Sequence, residues 1–397
     1  MLALLLAALA TLGPFAVDSY LPAFPNIQET LHATPLEVQQ TLTAYMLSFG
    51  VMMLWHGALS DAFGRRNIVL GSLAVFAVAT LGCAASHSVQ YLWAFRILQG
   101  ISAGAGVVIG RAIVRDIYSG ASATRLLSLV TMIFSIAPAI APILGGWIVK
   151  FFDWRAIFNS LFFYIVALLW VSYKYLPETL PVVKRIPFKP HFLWHSYMQM
   201  FRSPVLQLKA GAMAFNFAGM FLYVAAAPAF VTQHLKLGTD QFGWQFVPSV
   251  AGIFFGALVA NRMAGRIAIP SQVRIGFVFL IGSSFVNVAY HAFFPPAFPW
   301  SVVPLFFYTF GMSIVSPGVT LLMLDMFPHI RGFVASYQSF SVMMLASVVS
   351  GVVAPALSHS ALWLAIGQMG FTVAGLMCWL IVRSDFLRPS DRNRPFA

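Results

Sequence analysis

Residues 57 to 66 of this 397-residue chain read Gly-Ala-Leu-Ser-Asp-Ala-Phe-Gly-Arg-Arg. This short stretch with three charges lies between two long apolar stretches, residues 35 to 55 and residues 67 to 86. An apolar stretch of about 20 residues is long enough to cross a lipid bilayer as an α-helix. We therefore predict two membrane-spanning helices that are joined by a tight charged loop.

The same pattern continues along the chain. Windows of about 19 residues pick out apolar spans near residues 2–22, 35–55, 67–86, 89–110, 124–149, 154–175, 208–233, 241–260, 274–293, 299–324, 333–357 and 361–382. Of all residues, 60% are apolar and 9% are charged, against about 45–50% and about 25% in soluble domains. The sequence thus predicts an all-α polytopic membrane protein with twelve transmembrane helices, and it excludes a soluble globule.

One long connection divides the spans into two sets of six. We predict an N-terminal six-helix bundle at residues 1–176, an amphipathic cytoplasmic linker at 177–207, a C-terminal six-helix bundle at 208–382 and a cytoplasmic tail at 383–397. Leu21-Pro-Ala-Phe24 is echoed by Ala227-Pro-Ala-Phe230, each at the end of the first span of its set. Such an echo indicates a duplication, which in transporters gives two pseudo-symmetric halves with a binding site between them.

The chain has 23 Lys and Arg against 11 Asp and Glu, a formal net charge of +12. The basic residues lie in short loops beside the spans, and 19 of the 23 fall on one side of the membrane if the spans alternate in direction. Because cytoplasmic loops are enriched in Lys and Arg, we expect both termini in the cytoplasm. This distribution also argues against a nucleic acid partner, which needs a basic stripe or aromatic platforms.

The sequence lacks the motifs of ATP-driven and metal-dependent proteins. It contains no G-x-x-x-x-G-K-[ST] and no H-E-x-x-H. His191 and His195 have the spacing of metal ligands, but without further ligands nearby a surface role is favoured. We expect no catalytic residues, no metal and no cofactor.

Two opposite charges lie inside predicted spans at similar depth, Asp18 in the first and Arg96 in the fourth. Charges inside a membrane are costly unless they are paired, and they usually mark function. We predict a proton-coupling group of Asp18, Arg96 and Gln99, in which Asp18 carries the proton and pairs with Arg96. The alternatives are that Asp18 caps a helix end and that Arg96 braces its bundle through backbone carbonyls. If Asp18 is structural, Asp325 is the next candidate.

Four stretches resemble motifs of the major facilitator superfamily. Residues 57–66 are similar to its G-x-L-x-D-x-x-G-R-R signature, and Arg96-Ile-Leu-Gln-Gly100 is similar to its R-x-x-Q-G motif. Ala137-Pro-Ala-Ile-Ala-Pro-Ile-Leu-Gly-Gly146 resembles the antiporter motif G-x-x-x-G-P-x-x-G-G, with alanine in place of two glycines. Asp18-Ser-Tyr-Leu-Pro-Ala-Phe-Pro25 resembles the D-M-Y-L-P-A-L-P segment of the bicyclomycin and chloramphenicol resistance (Bcr/CflA) branch. The resemblance implies the two-bundle fold and export of drugs in exchange for protons.

The loop charges suggest a gate on the cytoplasmic side. Asp61 lies in a glycine-hinged turn, where it can face Arg65, Arg115 and the start of the eleventh span at Arg331. We predict a cytoplasmic gate formed by Gly57, Asp61, Gly64, Arg65, Arg66, Arg115, Asp116 and Arg331. The alternative is a loop of solvated charges that only sets the topology.

The fifth span carries Pro138, Pro142, Gly145 and Gly146. These residues permit a bend and close packing, so we predict a hinge between the halves at this motif. The alternative is a kinked helix without a special role, because Pro and Gly are common in membrane helices.

The substrate site is predicted from polar and aromatic residues that can face a central cavity. The candidates are Tyr20, Gln39, Tyr45, Asn216, Tyr223, Trp244, Tyr337 and Gln338. The chain also has 38 Phe and 17 Met, which provide soft apolar surface for a permissive pocket.

Together these features predict a proton-coupled exporter of small amphipathic molecules that works by alternating access in the bacterial cytoplasmic (inner) membrane. Its expected partners are the substrate, protons and the lipid bilayer, its energy source is the proton gradient, and it is expected to be a monomer. The alternatives are a proton-coupled importer or facilitator of a small metabolite and a membrane-embedded enzyme. The enzyme would need a convergent catalytic cluster, which the sequence does not show.

Overall fold

The computed structural model describes residues 2–118, 120–185, 187–188 and 190–386. These residues form eleven helices that are long and apolar enough to span a membrane. A twelfth span consists of the helices Pro35–Met53 and His56–Phe63, which are bent by 51° at a short break. The prediction of an all-α fold with twelve spans is confirmed.

The first six spans are Leu2–Asp18, Pro35–Met53 with His56–Phe63, Arg65–Ala84, Val89–Ala103 with Ala105–Ile117, Gly120–Phe151 and Arg155–Tyr175. A 3-10 turn at Leu21–Ala23 and a helix at Phe24–Thr30 follow the first span. Local sequence sets several helix starts. Thr34 and Glu37 form a capping box at the start of the helix Pro35–Met53, and the Ser88 side chain caps the fourth span.

The linker contains a 3-10 turn at Val182–Lys184 and a helix at Pro190–Phe201. The last six spans are Pro204–Ala225 with Ala227–Ala229 and Phe230–His234, Gly243–Met263 preceded by Thr239–Gln241, Ile269–Phe293, Val303–Leu324, Arg331–Val348 with Val349–Val353 and Ala354–Leu357, and Ala361–Phe386. The segments Phe230–His234 and Val349–Val353 are π-helical turns.

Two of the predicted domain boundaries differ from the structure by a few residues. The seventh span begins at Pro204 rather than 208, because the Ser203 side chain accepts a hydrogen bond from the Leu206 N–H and Pro204 suits the first turn of a helix. The last helix continues to Phe386, so the predicted tail at 383–397 begins as helix. Residues 387–397, with Arg388, Arg392 and Arg394, lie outside the described residues, as does Lys189.

The spans alternate in direction, which defines two ends of the bundle. We call the end with residues 57–66 and the linker the linker end, and the opposite end the far end. Within the described residues, the hydrogen bonds and ion pairs that join spans of the two halves lie at the far end. Gln39 Nε2 donates to the Ser350 hydroxyl at 3.2 Å, and Gln40 Nε2 donates to the Gly351 carbonyl at 2.9 Å. The two halves are thus held together at the far end.

The linker helix Pro190–Phe201 packs on the linker end. Its buried side chains include Leu193, Tyr197 and Met200, whereas Trp194 is exposed. The Tyr197 hydroxyl donates to the Leu54 carbonyl at 2.7 Å, and its ring packs on Phe333 with centroids 5.4 Å apart. The linker helix therefore contacts the second and the eleventh span.

Candidate functional site

A cavity of about 390 Å³ lies between the two halves. Side chains from spans one, two, four and five of the first half and from spans seven, eight, ten, eleven and twelve of the second half line it. Most of them are apolar, and the charged lining residues in the described part of the chain are Asp18 and Arg111. An apolar cavity with a few polar groups is the usual form of a small-molecule site.

Asp18 is the last residue of the first helix and lines this cavity. The residue is 6% exposed. Among the described residues, its carboxylate has neither an ion-pair partner nor a hydrogen-bond donor, and it caps no helix. An ionised carboxylate in such a place is costly, whereas a protonated one is not. The geometry therefore fits a group that takes up and releases a proton.

Arg96 is fully buried, and its hydrogen bonds go to groups other than the Asp18 carboxylate. Its Nη1 donates to the Ala16 carbonyl at 3.0 Å and to Gln99 Oε1 at 2.9 Å. The guanidinium lies over the rings of Tyr20 and Tyr45, at 4.7 and 4.4 Å from their centroids. The predicted ion pair between Asp18 and Arg96 is therefore wrong for this structure, because Nη1 bonds a backbone carbonyl and an amide and the guanidinium lies against two aromatic rings.

Further hydrogen bonds extend the surroundings of Arg96. Gln99 Nε2 donates to the Thr80 hydroxyl at 2.8 Å, so Gln99 links the third span to the guanidinium by hydrogen bonds. We call Tyr20, Tyr45, Thr80, Arg96 and Gln99 the arginine cluster. It contains the bracing contact to a backbone carbonyl that was the alternative for Arg96.

The charged loop is organised around Arg65. Its side chain is paired with Asp61 and, at 3.1 Å, with Asp116. Its Nη1 also donates to the Ser60 hydroxyl at 2.6 Å, and its backbone N–H donates to Glu178 of the linker at 3.0 Å. The structure thus joins Asp61, Arg65 and Asp116 as the sequence predicts, and it adds a linker carboxylate that the sequence did not indicate.

The other members of the predicted gate in this loop are Gly57, Gly64 and Arg66. Gly64 has a φ of 98°, a backbone conformation that favours glycine, and it reverses the chain between the second and third spans. Gly57 faces Val108 at van der Waals distance. Arg66 donates to the Tyr173 carbonyl at 2.6 Å and lies over its ring.

Two residues of the predicted gate are not part of this cluster. Arg331 pairs with Asp325 at 3.2 Å, within its own half. Arg115 is exposed and, among the described residues, has no ion-pair partner. The predicted contact of Asp61 with Arg115 and Arg331 is therefore wrong for this structure. Asp61 pairs with Arg65 instead, and Arg331 belongs to the other half, whose bonds to the first half lie at the far end.

The backbone of other elements packs closely against the antiporter motif of the fifth span. A Cβ on Gly145 would overlap the Ser19 carbonyl, and a Cβ on Gly146 would overlap the Thr239 carbonyl of the other half. Pro138 lines the cavity, and both Pro138 and Pro142 lie inside the continuous helix Gly120–Phe151. Gly146 thus permits a close contact between the halves at the far end, and Gly145 permits close packing within the first half.

Three of the eight predicted substrate residues line the cavity, namely Tyr45, Tyr223 and Gln338. Tyr20 belongs to the arginine cluster, and its hydroxyl bonds the Thr41 hydroxyl at 2.7 Å. Gln39 joins the halves at the far end instead of facing the cavity.

The other three predicted residues also lie outside the cavity lining. Asn216 is buried beside Gly375, and its carbonyl accepts from Tyr308. Trp244 is half exposed and packs on Phe298 with ring centroids 4.9 Å apart. Tyr337 bonds Gln207 and packs on Phe201 of the linker helix. These five predictions fail because hydropathy gives the depth of a residue but not the direction of its side chain.

Several polar residues of the cavity wall were missed. Tyr308, Thr309, Gln245 and Gln368 line the cavity from the second half, and Arg111 lines it from the first. A signal was present, since Gln368 is an isolated amide in an otherwise apolar span. Isolated polar residues in membrane spans usually face protein or water.

Comparison with known proteins identifies the family. A family model described as Major Facilitator Superfamily matches residues 4–351. The chain belongs to the major facilitator superfamily. It is therefore a multi-pass membrane protein of a transporter superfamily, and the resemblance in the motifs is confirmed.

The chain is also similar to individual members of the superfamily. The bicyclomycin resistance protein homolog of Haemophilus influenzae is 32% identical over 274 residues, which are 68% of each chain. The multidrug resistance protein D of Escherichia coli is 26% identical over 400 residues, 99% of this chain and 98% of that protein. The crystal structure of a D-xylose-proton symporter has a TM-score of 0.71 at 16% identity, over 95% of this chain and 97% of that one. This last likeness shows the fold alone.

Proposed function

We propose that this transporter exports small amphipathic molecules in exchange for protons by alternating access. The observation that carries the proposal is the Asp18 carboxylate, which lines the cavity between the halves without a partner among the described residues. Relatives named for bicyclomycin resistance and multidrug resistance support export of drug-like substrates. Proton and substrate need only favour opposite conformations, since a ligand shifts an equilibrium by its differential affinity.

In this proposal Arg96 positions the first helix and does not trade partners with Asp18. Its bond to the Ala16 carbonyl holds the backbone two residues before Asp18. Protonation of Asp18 then changes the charge of the cavity wall directly. The cavity of the deprotonated state favours a cationic or neutral substrate, and proton entry favours its release.

The proton gradient is the energy source in this proposal, and no cofactor takes part. One chain supplies both walls of the cavity, so a monomer suffices. The basic loops at the linker end support a cytoplasmic location of that end and of both termini, in a bacterial inner membrane. Asp61, Arg65 and Asp116 are then the cytoplasmic gate.

The test is dye accumulation in everted membrane vesicles energised by a pH gradient. The wild type should accumulate dye, and a protonophore should abolish accumulation. Asp18→Asn should still bind the dye in purified form but lose gradient-driven accumulation, because it can no longer exchange a proton. Asp153→Asn, which removes an exposed acid that pairs with Arg155, is the matched control and should transport normally.

Two results would contradict the proposal. Transport that persists under the protonophore and requires ATP would exclude proton coupling. Undiminished, pH-dependent transport by Asp18→Asn would make Asp18 structural and transfer the coupling role to Asp325, which pairs with Arg331 at the linker end.

A further inference from the structure

The second half presents a network of uncharged side chains behind and along the cavity wall. Asn287 Nδ2 donates to the Tyr223 hydroxyl and to Gln368 Oε1, both at 2.8 Å. Gln368 Nε2 donates to the Gly219 carbonyl at 3.4 Å, and Gln245 Nε2 donates to the Tyr223 carbonyl at 2.7 Å. We call Tyr223, Gln245, Asn287 and Gln368 the amide network. Its members are at most 2% exposed.

Backbone carbonyls fix the orientation of these amides, because a carbonyl can only accept a hydrogen bond. The Gly219 carbonyl requires the nitrogen of Gln368, so Gln368 offers its oxygen to Asn287, and Asn287 must offer its nitrogen. In the same way the Tyr223 carbonyl requires the nitrogen of Gln245. The oxygen of Gln245 is therefore the free end of that side chain.

Tyr223 and Gln245 each keep one hydrogen-bonding group without a partner in the described part of the chain. Within the described residues, Gln245 Oε1 has no partner although it is buried. The Tyr223 hydroxyl accepts from Asn287 and, in the described part of the chain, donates to no group. Tyr223 and Gln245 both line the cavity and are tied to each other by a hydrogen bond. Two neighbouring residues of the wall thus carry one free donor, on Tyr223, and one free acceptor, on Gln245, and neither group is charged.

We propose that Tyr223 and Gln245 form a neutral subsite for an uncharged substrate group that both accepts and donates a hydrogen bond, as a carboxamide does. The substrate carbonyl accepts from the Tyr223 hydroxyl, and its N–H donates to Gln245 Oε1. The apolar remainder of the cavity takes an aromatic or aliphatic body. The proposal rests on the proposed function only in naming this ligand as the transported substrate.

The test is binding of two neutral probes to the purified protein at equilibrium, without a gradient. The probes are 2-naphthamide and methyl 2-naphthoate, which share the ring and the carbonyl, whereas only the amide has N–H donors. An unpaired buried acceptor is costly, so the wild type should bind the amide about tenfold more tightly than the ester. Equal affinity for the two, including no measurable binding of either, overturns the proposal.

Variants assign the preference to the two residues. Gln245→Leu should reduce the amide preference to about twofold or less, because the acceptor is gone. Tyr223→Phe should weaken amide and ester by a similar factor, because both probes use the hydroxyl. Gln272→Leu removes a buried glutamine that bonds the Ile314 carbonyl and does not line the cavity, so it should keep the tenfold preference. A wild-type preference in Gln245→Leu overturns the assignment, and if that variant does not fold, Tyr223→Phe and the two probes decide.

The binding assay separates this inference from the proposed function. If the amide preference follows Gln245 while gradient-driven export is absent, the subsite stands and proton-coupled export fails. If export depends on Asp18 while the probes bind equally, export stands and the subsite fails.

Discussion

In the first half of the chain, buried polar side chains gather around a cation: the arginine cluster places Arg96 between two tyrosine rings, with Gln99 and a backbone carbonyl as its acceptors. In the second half, the amide network contains no charge, and its groups bond one another. Leaving a buried cation without its acceptors costs more free energy than leaving a neutral donor or acceptor unpaired. The two halves thus differ in their polar interiors, because the first half buries a cation and the second buries a neutral network.

The largest effect should come from Arg96→Met. The change removes the donor of the Ala16 carbonyl and the contacts with the two tyrosine rings of the cluster. Among the described residues, it leaves Gln99 Oε1 with only the weak Cys83 thiol as donor. The free energy of unfolding in detergent micelles should therefore fall by about 3–5 kcal/mol. Arg262→Met, at an exposed position, is the control and should change it by less than about 0.5 kcal/mol. Similar losses in the two variants would show that Arg96 is not held by its cluster.

A smaller effect is expected when the amide network is broken by Asn287→Leu. The variant deprives Gln368 Oε1 of its donor, and the free energy of unfolding should fall by about 1–3 kcal/mol. The pH dependence of transport should stay as in the wild type, since no charge is involved. Asn261→Leu, at an exposed position, serves as the control. A loss equal to that of Arg96→Met, or an altered pH profile, would remove the contrast between the halves.

The smallest effect on stability is expected outside both clusters, for Asp61→Asn in the charged loop. Its side chain is 41% exposed, so solvent screens the pair with Arg65 and the free energy of unfolding should fall by at most about 1 kcal/mol. Turnover should nevertheless fall several-fold while substrate binding is kept, if the loop is the gate. The exposed Asp153 at the far end again provides the matched control as Asp153→Asn. Wild-type turnover in Asp61→Asn would mean that the loop charges only set the topology.

The sequence was sufficient for the twelve spans, because length and apolar composition determine membrane helices almost without regard to neighbours. It was also sufficient for the Asp61–Arg65 pair, because the two residues lie one helical turn apart on either side of Gly64. It was not sufficient for the partner of Arg96. Depth placed Asp18 and Arg96 at the same level, but only the packed helices show that the guanidinium reaches the Ala16 carbonyl.

For the predicted substrate residues as well, the sequence indicated the depth in the membrane but not the direction of the side chain. Tyr223 and Trp244 were both predicted to face the cavity. Tyr223 lines it, whereas Trp244 is half exposed and lies outside the cavity lining. The amide network went unnoticed because each member is a single polar residue in a different span. Its coherence depends on three-dimensional contacts between residues 22 to 149 positions apart in the chain.

The break in the second span has a consequence for the connection between the halves. A straight helix would use the Leu54 carbonyl for its own hydrogen bonding, but the 51° bend releases it, and the linker tyrosine Tyr197 takes it up. The bend of the second span and the binding of the linker helix to it are therefore coupled. We therefore expect the length of the linker to influence how far the second span bends.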